Sequence, residues 1–505
     1  MAVKSTKMKN KPQDSSHGTI LKGTGVFGLM QFTKMAIGVV GAKFIAVFLG
    51  PAGIGIVGLL MNTLNIIGSL TNFGFAVTSV RQIAVAEADE SVDALPKTIF
   101  VLQRIALFTG LLGAVLTVAF SKLLSQWTFG NSEYTMWFIA LSINFFLTSY
   151  TTSRGAIMQG RRMIKSIAFS TVIASAAITA VTILLYYFLG FDGIVPVILL
   201  SSLINLIVNV FYTRKFKSQE FTEGFSKLYQ EALPVLKLGL LLSINVIFGY
   251  ICTFLIKLYL NNTGESSQIL GFYEVSTVFL LSYVGLIFTS MSMDFYPRLT
   301  TINSDRKTVN KLVNDQIEIA LLLITPAIIF LYLTAPFIIQ ILYTKEFLPV
   351  LLIFQAALLA IIVKAAAWPL AFIILAKGDR KQYFKQELVS DFLNVSLTIL
   401  FYNYFGLVGI GVAMLLNYAL YGIYVYFIVH KKYNFYFRSD AFKIFMVSII
   451  LGSVSSFAVF FLQNPYRRVL CGVVFLLSVI FSYNSLDRRI GMKRIYFKIR
   501  SKLRR

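Results

Sequence analysis

The amino-acid sequence predicts an all-α polytopic membrane protein with about fourteen transmembrane helices. Hydrophobic residues make up 57% of the 505 residues and charged residues only 13%, whereas a soluble protein carries roughly a quarter charged residues. Apolar stretches of about twenty residues, the length that spans the hydrocarbon core of a bilayer, recur along the chain. Such a chain cannot hide its apolar side chains in a water-surrounded core, so the surplus must face lipid.

The predicted helices follow these apolar stretches in order. Each stretch is long enough for one crossing of the bilayer, and polar or glycine-containing connections separate them. The predicted spans are 24–49, 53–80, 98–121, 135–158, 166–190, 193–212, 233–256, 270–296, 316–337, 348–375, 386–405, 407–429, 442–462 and 467–486.

The distribution of basic residues predicts the orientation. One set of alternate connections carries clusters of Lys and Arg: the N-terminal segment, 161–165, 214–217, 306–311, 377–381, 431–438 and the C-terminal tail. The opposite set is nearly bare, with Lys122, Lys257, Lys345 and the pair Arg467–Arg468. Because basic residues stay on the cytoplasmic side, we expect a multi-pass inner-membrane protein with both termini in the cytoplasm.

Two related hairpins predict the domain organisation. Lys43–Leu60 and Phe254–Glu274 each contain a helix end, a glycine-containing turn and a glycine-led helix start. Because six spans separate them, both enter the membrane in the same direction, which indicates repeated halves. The sequence therefore predicts two six-helix lobes around a central cavity, plus two extra C-terminal helices. The predicted segments are a cytoplasmic N-terminal segment 1–23, an N-lobe 24–214, a C-lobe 215–430, the last two helices within 431–486 and a basic amphipathic tail 487–505.

Several function classes are excluded by what the sequence contains. Cys252 and Cys471 lie inside apolar spans and His17 and His430 in polar flanks, so we expect no metal site, no cofactor and no histidine-based catalysis. The net charge of +24 comes from short clusters rather than a basic domain, which argues against nucleic-acid binding. The first apolar stretch is too long for a cleavable signal peptide.

Two lysines deep in predicted spans are the first candidates for a binding site. Lys34 lies near the centre of the first span and Lys364 near the middle of the tenth. A buried cation costs at least about 2.5–3.5 kcal/mol to insert, and neither lysine has an acidic neighbour one turn away. Each therefore either faces a watery cavity that attracts an anion or pairs with a carboxylate of another helix: Asp391, Glu318 or Asp294.

Other polar side chains in the spans are weaker candidates. Lys43, Arg81 and Arg104 stand nearer the ends of their helices, where long basic side chains reach the interface. Asn62 and Asn65 suit hydroxyl-rich ligands, but amides equally well bond one helix to another. Two acidic residues, Asp391 and Asp294, are candidates for ion coupling or an ion pair.

The first hairpin resembles a known family. Its sequence from Thr33 to Leu60, TKMAIGVVGAKFIAVFLGPAGIGIVGLL, is similar to the opening of Wzx-type flippases for undecaprenyl-pyrophosphate-linked oligosaccharides, such as O-antigen units. These flippases form the polysaccharide transporter branch of the MOP superfamily, which also contains the MATE drug exporters and the lipid II flippase. The matching pattern is Lys34, Lys43 nine residues later, and the Gly50-Pro51-Ala52-Gly53 turn.

This resemblance implies a transporter rather than an enzyme. Two lobes would enclose a cationic cavity that takes the polyprenyl-pyrophosphate oligosaccharide head group while the polyprenyl tail stays in the lipid bilayer. The residues that match the family are Lys34 and Lys43, with Arg81 continuing the pattern. A glycan polymerase and a chain-length regulator are the expected protein partners.

Three alternatives remain open at this point. A lipid II flippase and a MATE-like cation or drug antiporter share the expected fold, although Lys34 argues against a cavity for cations. A membrane glycan polymerase is the enzyme-class alternative, and it would need a large outer loop or a metal-binding acidic motif.

Overall fold

The computed structural model describes residues 14–89, 91, 93–219, 225–263 and 267–490. All regular secondary structure in these ranges is helical. The predicted segment 1–23 lies outside the described residues up to residue 13, and the predicted tail 487–505 lies outside them from residue 491 onward. The α-helices are α1 (Asp14–Asn72), α2 (Phe75–Ala88), α3 (Ala94–Ala119), α4 (Ser121–Phe129), α5 (Thr135–Gly160), α6 (Ile164–Leu189), α7 (Ile194–Thr213), α8 (Phe225–Thr263), α9 (Gln268–Thr277), α10 (Leu286–Thr301), α11 (Arg306–Leu342), α12 (Val350–Ala376), α13 (Arg380–Tyr433), α14 (Ser439–Phe461) and α15 (Tyr466–Ile490).

The helices confirm the predicted fold class. Ten segments of the described chain are long and apolar enough to cross a membrane. Three of them contain a break, at Gly50, at Gly190–Gly193 and at Gly406, and each break divides its segment into two helices. Ten segments with three divisions give thirteen helices in the described ranges, and these correspond to thirteen of the fourteen predicted spans.

The remaining predicted span, 135–158, lies on α5. Serine, threonine and asparagine side chains are frequent on this helix, and two of them form hydrogen bonds to neighbouring helices. Ser202 donates to the Asn144 Oδ1 at 2.5 Å, and Thr109 donates to the Ser149 Oγ at 3.4 Å. Polar groups inside a membrane protein are tolerated where other helices satisfy them. These polar side chains lower the hydropathy of α5. The helix tolerates them because it packs against α2, α3 and α7 in unit 1.

Glycine makes the two sharp hairpin turns possible. Gly50 adopts φ 61° and Gly406 adopts φ 55°, a left-handed region that only glycine enters at little cost. Pro51 follows directly as the first residue of the next helix, where its missing N–H removes no helical hydrogen bond. The glycine-containing turn of the first predicted hairpin is therefore a backbone requirement at Gly50, and Gly406 meets the same requirement within α13.

Two predicted spans are interrupted, contrary to a simple reading of their apolar residues. Span 53–80 breaks at Phe73–Gly74, both with positive φ. A Cβ on Gly74 would lie 2.1 Å from the Gly239 carbonyl oxygen, so the two backbones touch there. Span 270–296 contains a π-helical turn at Val278–Tyr283, with the Val284 N–H donating to the Phe279 carbonyl at 3.1 Å. Hydropathy contains no signal for either feature, because the first depends on a backbone contact and the second only changes the local hydrogen-bond pattern of the helix.

A short helix also replaces part of a predicted outer loop. The segment 122–134 was expected to be a loop, but α4 occupies its first half. Three hydroxyl side chains of α4, Ser121, Ser125 and Thr128, are buried. Two of these hydroxyl groups form hydrogen bonds. Ser125 donates to the Asn131 carbonyl at 2.7 Å, and the hydroxyls of Thr128 and Thr63 bond each other at 3.3 Å.

The chain groups into two compact units. Unit 1 contains the described residues of Met1–Ala42, Ile67–Leu124 and Glu133–Ser243. Unit 2 contains those of Lys43–Ile66, Ser125–Ser132 and Ile244–Arg505. The hairpin from Lys43 to Ile66 thus belongs to unit 2, although sequence alone grouped it with the N-lobe; the lobe limits 24–214 and 215–430 stay predictions.

Unit 1 is organised around helices α2, α3, α5 and α7. Helix α5 packs against α3 and α7, and α2 packs against both α3 and α5. One apolar cluster joins α2, α3 and α5 to the start of α8: Phe75, Ile83, Ile99, Val101, Leu102, Ile105, Ala106, Ala156, Ile157 and Val235. Unit 1 therefore has its own core.

Helix α12 lies at the centre of unit 2. It packs against α11, α13 and α14, and two thirds of its most apolar stretch is buried. Such a helix presents little surface to lipid, so a polar side chain near its middle must find its surroundings among neighbouring helices. Lys364 occupies that position.

Hydrogen bonds of the Asp379 carboxylate connect the two ends of α13 in unit 2. Asp379 precedes α13 and accepts hydrogen bonds from Lys432, from the Tyr433 hydroxyl at 2.7 Å and from the Gln382 N–H at 3.2 Å. The Lys432 ammonium, then the Tyr433 hydroxyl, lower the pKa of Asp379 to about 2. This carboxylate caps the start of α13 and bonds to Lys432 and Tyr433 at the end of the same helix.

Glycine contacts seat the first hairpin against α9 within unit 2. A Cβ on Gly271 would lie 1.9 Å from the Pro51 carbonyl oxygen, and a Cβ on Gly55 would lie 2.8 Å from the Gly271 backbone nitrogen. Atoms cannot approach so closely, so a side chain at either position would push the two helices apart. Close backbone approach at small residues is a common way for membrane helices to associate.

Replacing Gly271 with alanine is therefore expected to lower the thermal stability of the purified protein. Overpacking costs about 1–3 kcal/mol, and here the obstructing atom belongs to rigid backbone. Gly472→Ala is the matched control, because a Cβ there meets nothing within 4 Å and alanine favours helix by up to about 1 kcal/mol. Equal melting temperatures for both variants would contradict the close contact.

Candidate functional site

Lys364 is a cation near the middle of α12, and it forms no ion pair with a carboxylate of the described residues. Its ammonium donates to the Tyr418 hydroxyl at 3.2 Å and lies 5.4 Å from the centre of the Phe288 ring and 5.0 Å from that of Tyr418. Among the described residues of unit 2, no ion pair includes Lys364. Cation–π contacts and one hydroxyl thus stabilise the charge only in part, which leaves it able to attract an anion.

The Lys364 side chain borders a cavity of about 220 Å³. Its walls combine aromatic rings, hydroxyl groups and one carboxylate. The lining residues are Lys364, Ala367, Trp368, Ala371, Phe372, Leu375, Tyr383, Glu387, Ser390, Tyr418 and Tyr421. We refer to it as the Lys364 cavity. A few polar groups in a mainly apolar wall are typical of ligand pockets.

Aromatic packing fixes the shape of one wall. The Trp368 ring lies 5.7 Å from Phe295 and 5.3 Å from Phe372, measured between ring centres. These distances fall in the range that aromatic pairs prefer. The indole is thus held by its neighbours and presents a rigid apolar surface beside the charged group.

The carboxylates expected near Lys364 have other surroundings. Asp294 pairs with Arg298 at 3.0 Å, and both are largely exposed. Glu318 pairs with Arg489 at 2.5 Å. Asp391 is half-buried one turn beyond Glu387 on α13 and forms no ion pair within the described part of unit 2. The expected alternative, a pair between Lys364 and one of these three, does not occur in the structure.

Three predicted cations belong to unit 1. Lys34 and Arg81 are exposed, and neither forms a hydrogen bond or ion pair with the described residues of that unit. Arg104 is also exposed, with its guanidinium 4.8 Å from the centre of the Phe100 ring. An exposed cation in an apolar span needs water or an anion around it. Lys34 therefore stays a candidate for binding an anion.

Lys43 has a clear structural partner. Within unit 2, its ammonium donates to the Gln340 carbonyl at 2.8 Å and to the Tyr343 carbonyl, where α11 ends. The last carbonyls of a helix lack partners inside the helix, and a cation there is favoured by the helix dipole. Lys43 therefore anchors the first hairpin to α11; a substrate role for it stays a prediction.

The two asparagines differ in their surroundings. Asn62 is buried and donates to the Tyr250 carbonyl at 3.2 Å, which is the helix-to-helix bond that amides commonly form in membranes. Asn65 is exposed. The structure thus gives Asn62 a structural contact and leaves Asn65 accessible.

A buried ion pair was not foreseen from the sequence. Lys257 bonds Glu274 and donates to the Gly58 carbonyl at 3.0 Å. The side chains are only 9% and 13% exposed, so the pair is removed from water. It links α8, α9 and the first hairpin within unit 2. The sequence predicts Lys257 to be a cation of an outer connection. Local spacing does not reveal the ion pair, because Glu274 lies seventeen positions away in another helix.

Most of the Lys364 cavity was also missed. Tyr383, Glu387 and Ser390 follow each other at spacings of four and three on α13, which places them on one helix face. Tyr418 and Tyr421 repeat that spacing later in the same helix. This regular spacing of polar residues within apolar spans was the available signal.

Comparison with known proteins gives one family match. The sequence model of the family described as "Polysaccharide biosynthesis protein" matches residues 44–352, more than half of the chain. No curated protein matches the sequence significantly.

Solved structures share the fold over most of their length. A structure of the lipid II flippase MurJ in an inward closed conformation superposes with a TM-score of 0.68 at 17% identity, covering 93% of this chain and 99% of that chain. An inward-facing multidrug resistance MATE family transporter of the MOP superfamily gives 0.66 at 13% identity, covering 79% and 94%. A MOP superfamily transporter from Pyrococcus furiosus, described as having a binding pocket of reverse polarity, gives 0.56 at 11%, covering 82% and 96%.

Proposed function

The chain belongs to the polysaccharide biosynthesis protein family, and from this premise we propose that it moves a lipid-linked oligosaccharide across the bacterial inner membrane. The proposed substrate is an undecaprenyl-pyrophosphate-linked repeat unit, of O-antigen or a similar glycan. It passes from the cytoplasmic to the periplasmic leaflet, as in a Wzx-type flippase. In this role the protein is a carrier, and no covalent step is assigned to it.

The observation that carries the proposal is the Lys364 cavity. An oligosaccharide head group is polar and crosses hydrocarbon slowly unless protein groups replace its water. The ammonium of Lys364 supplies a point charge for an anion such as the diphosphate. Tyrosine rings with their hydroxyls present apolar faces and hydrogen-bonding groups together, which suits the alternating C–H and O–H groups of sugars.

The proposed transport cycle is alternating access. The solved structures with this fold include conformations described as inward closed, inward-facing and outward-facing, which supports the same cycle here. We propose that rocking of the N-lobe and C-lobe opens the head-group site to one side of the membrane at a time. Both termini lie in the cytoplasm in this proposal, as the positive-inside rule predicts.

Coupling to an ion gradient is a separate part of the proposal. Asp391 and Glu387 are half-buried carboxylates one turn apart on α13, without an ion pair in the described part of unit 2. We keep Asp391 as the candidate for coupling and give Asp294 a structural role, because Arg298 neutralises it. The alternative to ion coupling is downhill transport. In that case a polymerase and its chain-length regulator drive transport by removing the product.

A lipid II flippase is the second candidate function. The likeness to MurJ extends over 93% of this chain, more than the 79% for the MATE transporter, but at 17% identity it supports the fold and not the substrate. A MATE-like antiporter is disfavoured by Lys34 and Lys364, because neither forms an ion pair among the described residues of its own unit and both charges repel cationic drugs. A membrane glycan polymerase is disfavoured because the described outer connections are short.

The test is a transport assay in proteoliposomes. Undecaprenyl-pyrophosphate oligosaccharide is placed in both leaflets, and a membrane-impermeant glycosidase reports how fast the inner pool becomes accessible. Faster access than in protein-free vesicles supports the proposal. Acceleration confined to lipid II would assign the second function, and no acceleration of either lipid would reject both.

Lys364→Gln is expected to lower this transport rate by roughly tenfold or more, because a hydrogen bond to a charged group contributes about 1.5–3 kcal/mol. Protein abundance should stay normal, since glutamine is cheaper to place in a membrane than lysine. Lys381→Gln removes an exposed charge of α13 and serves as the control. Equal rates for the two variants would remove Lys364 from the site.

A further inference from the structure

A second cavity, of about 400 Å³, lies between α11 and α15 within unit 2. Two arginines from the first turn of α15 contribute its basic groups, and α11 supplies most of the rest. The lining residues are Tyr332, Leu333, Thr334, Pro336, Phe337, Gln340, Arg467, Arg468 and Cys471. We refer to this cavity as the arginine pocket. It shares no lining residue with the Lys364 cavity.

The two arginines lack counter-charges. Arg467 is half-buried and Arg468 exposed, and within the described chain neither guanidinium takes part in an ion pair or hydrogen bond. Both stand at the N-terminus of α15, where the helix dipole is itself positive and disfavours cations. Two adjacent positive charges at a positive helix end attract an anion more strongly than either feature alone.

The surroundings of the pocket are apolar and accessible. Phe337 is 68% exposed, Val469 63% and Leu476 61%. In a membrane-spanning protein, exposed apolar side chains of this size lie against acyl chains. The arginine pocket thus places a charged recess beside a surface suited to hydrocarbon, the same combination that a phospholipid contains.

We propose that the arginine pocket binds the phosphate of an anionic membrane phospholipid, with its acyl chains lying along α11 and α15. The planar guanidinium fork matches phosphate oxygens in a bidentate manner. The exposed amide of Gln340 supplies further hydrogen bonds for the head group. Two positive charges without a local carboxylate favour phosphatidylglycerol over zwitterionic phosphatidylcholine. This inference goes beyond the proposed transport function and does not depend on it.

The predicted orientation places the arginine pocket on the outer side of the membrane. Among the outer connections, basic residues are scarce, and Arg467–Arg468 is the one adjacent pair that the sequence offers there. Positive-inside clusters on the other side need no ligand, because the orientation rule already accounts for them. An unneutralised pair on the outer side has no such explanation, and a bound phosphate provides one.

The test is native mass spectrometry of the full-length protein, purified in detergent and titrated with dioleoyl phosphatidylglycerol or dioleoyl phosphatidylcholine. Arg467→Gln/Arg468→Gln is compared with Lys122→Gln/Lys345→Gln, which removes the same charge from exposed positions. The arginine variant should bind phosphatidylglycerol about tenfold more weakly or worse, since each lost charge-assisted contact accounts for such a factor. The lysine variant should bind it like the wild type. Equal affinity in the two variants, or no preference over phosphatidylcholine, would overturn the proposal.

Two further arms separate other sources of phosphate. Arginine-dependent binding of undecaprenyl diphosphate that is tighter than that of phosphatidylglycerol would assign the pocket to the carrier lipid instead. Displacement of the phospholipid by millimolar inorganic phosphate would show that the acyl chains contribute nothing, and would also overturn the proposal.

Hydrogen exchange of the wild-type protein keeps the inference testable if the arginine variant does not fold. Phosphatidylglycerol should slow amide exchange in the first turns of α15 and in the last turns of α11, and phosphatidylcholine should not. Unchanged exchange in both segments would contradict a bound phospholipid there.

Discussion

Lys34→Ala is expected to lower export of the proposed glycan substrate by about one to two orders of magnitude, while the protein itself accumulates normally. The ammonium stands exposed in an apolar helix without a partner among the described residues of its own unit, and a charge in that position costs at least about 2.5–3.5 kcal/mol to insert. Alanine removes this cost, so abundance should not fall. It also removes a charge-assisted contact to the diphosphate, whose loss lowers the rate by about one to two orders of magnitude.

The measurement is surface glycan in cells that carry only the variant gene, together with membrane abundance of the protein. Lys34→Arg keeps the positive charge and should retain part of the export. Lys165→Ala is the matched control, because it removes an exposed basic residue from the same unit. Wild-type levels of surface glycan in Lys34→Ala would exclude this lysine from the site.

Lys257→Met is expected to cause the largest loss of stability. It leaves the Glu274 carboxylate, 13% exposed, without its cation, and removing one partner of a buried ion pair costs about 3–5 kcal/mol. The Gly58 carbonyl loses its donor at the same time. The melting temperature of the detergent-purified protein should therefore fall by several degrees.

A double variant separates the pair from mere packing. Lys257→Met/Glu274→Leu replaces both charges with apolar groups and should recover most of the lost stability, because such replacements are often neutral or stabilising. The exposed pair of Arg298 and Asp294 is the control: Arg298→Gln should change stability by less than about 1 kcal/mol. A double variant as unstable as Lys257→Met would contradict the ion-pair explanation.

The spans could be predicted from the sequence because hydropathy records burial in lipid directly. The glycine turn at Gly50 could be predicted as well, since a Gly-Pro sequence between apolar stretches has few other uses. The break at Phe73–Gly74 could not, because it depends on a backbone contact with Gly239 more than 160 residues away. Long-range contacts of this kind leave no local pattern.

The candidate site was predictable only in its cations. Lys34 and Lys364 are conspicuous because charge is expensive in hydrocarbon. The tyrosines around Lys364 are not conspicuous, since aromatic residues are common in membrane helices. Lys43 shows a different limit: its place in the family pattern suggested a binding role, whereas the carbonyl oxygen of Gln340 that it bonds lies in α11, almost 300 residues later.

The carboxylate at the start of α13 bears on how proton-driven behaviour should be interpreted. The pKa of Asp379, about 2 because of Lys432 and then Tyr433, lies below its unfolded value of roughly 3.9. The stability that this group contributes is complete above the unfolded value and is lost only as acidity approaches pH 2. Between pH 5 and 8 its charge is constant. Any dependence of transport on acidity in that interval must therefore originate in other titrating groups, and the cap of α13 serves as a fixed reference for locating them.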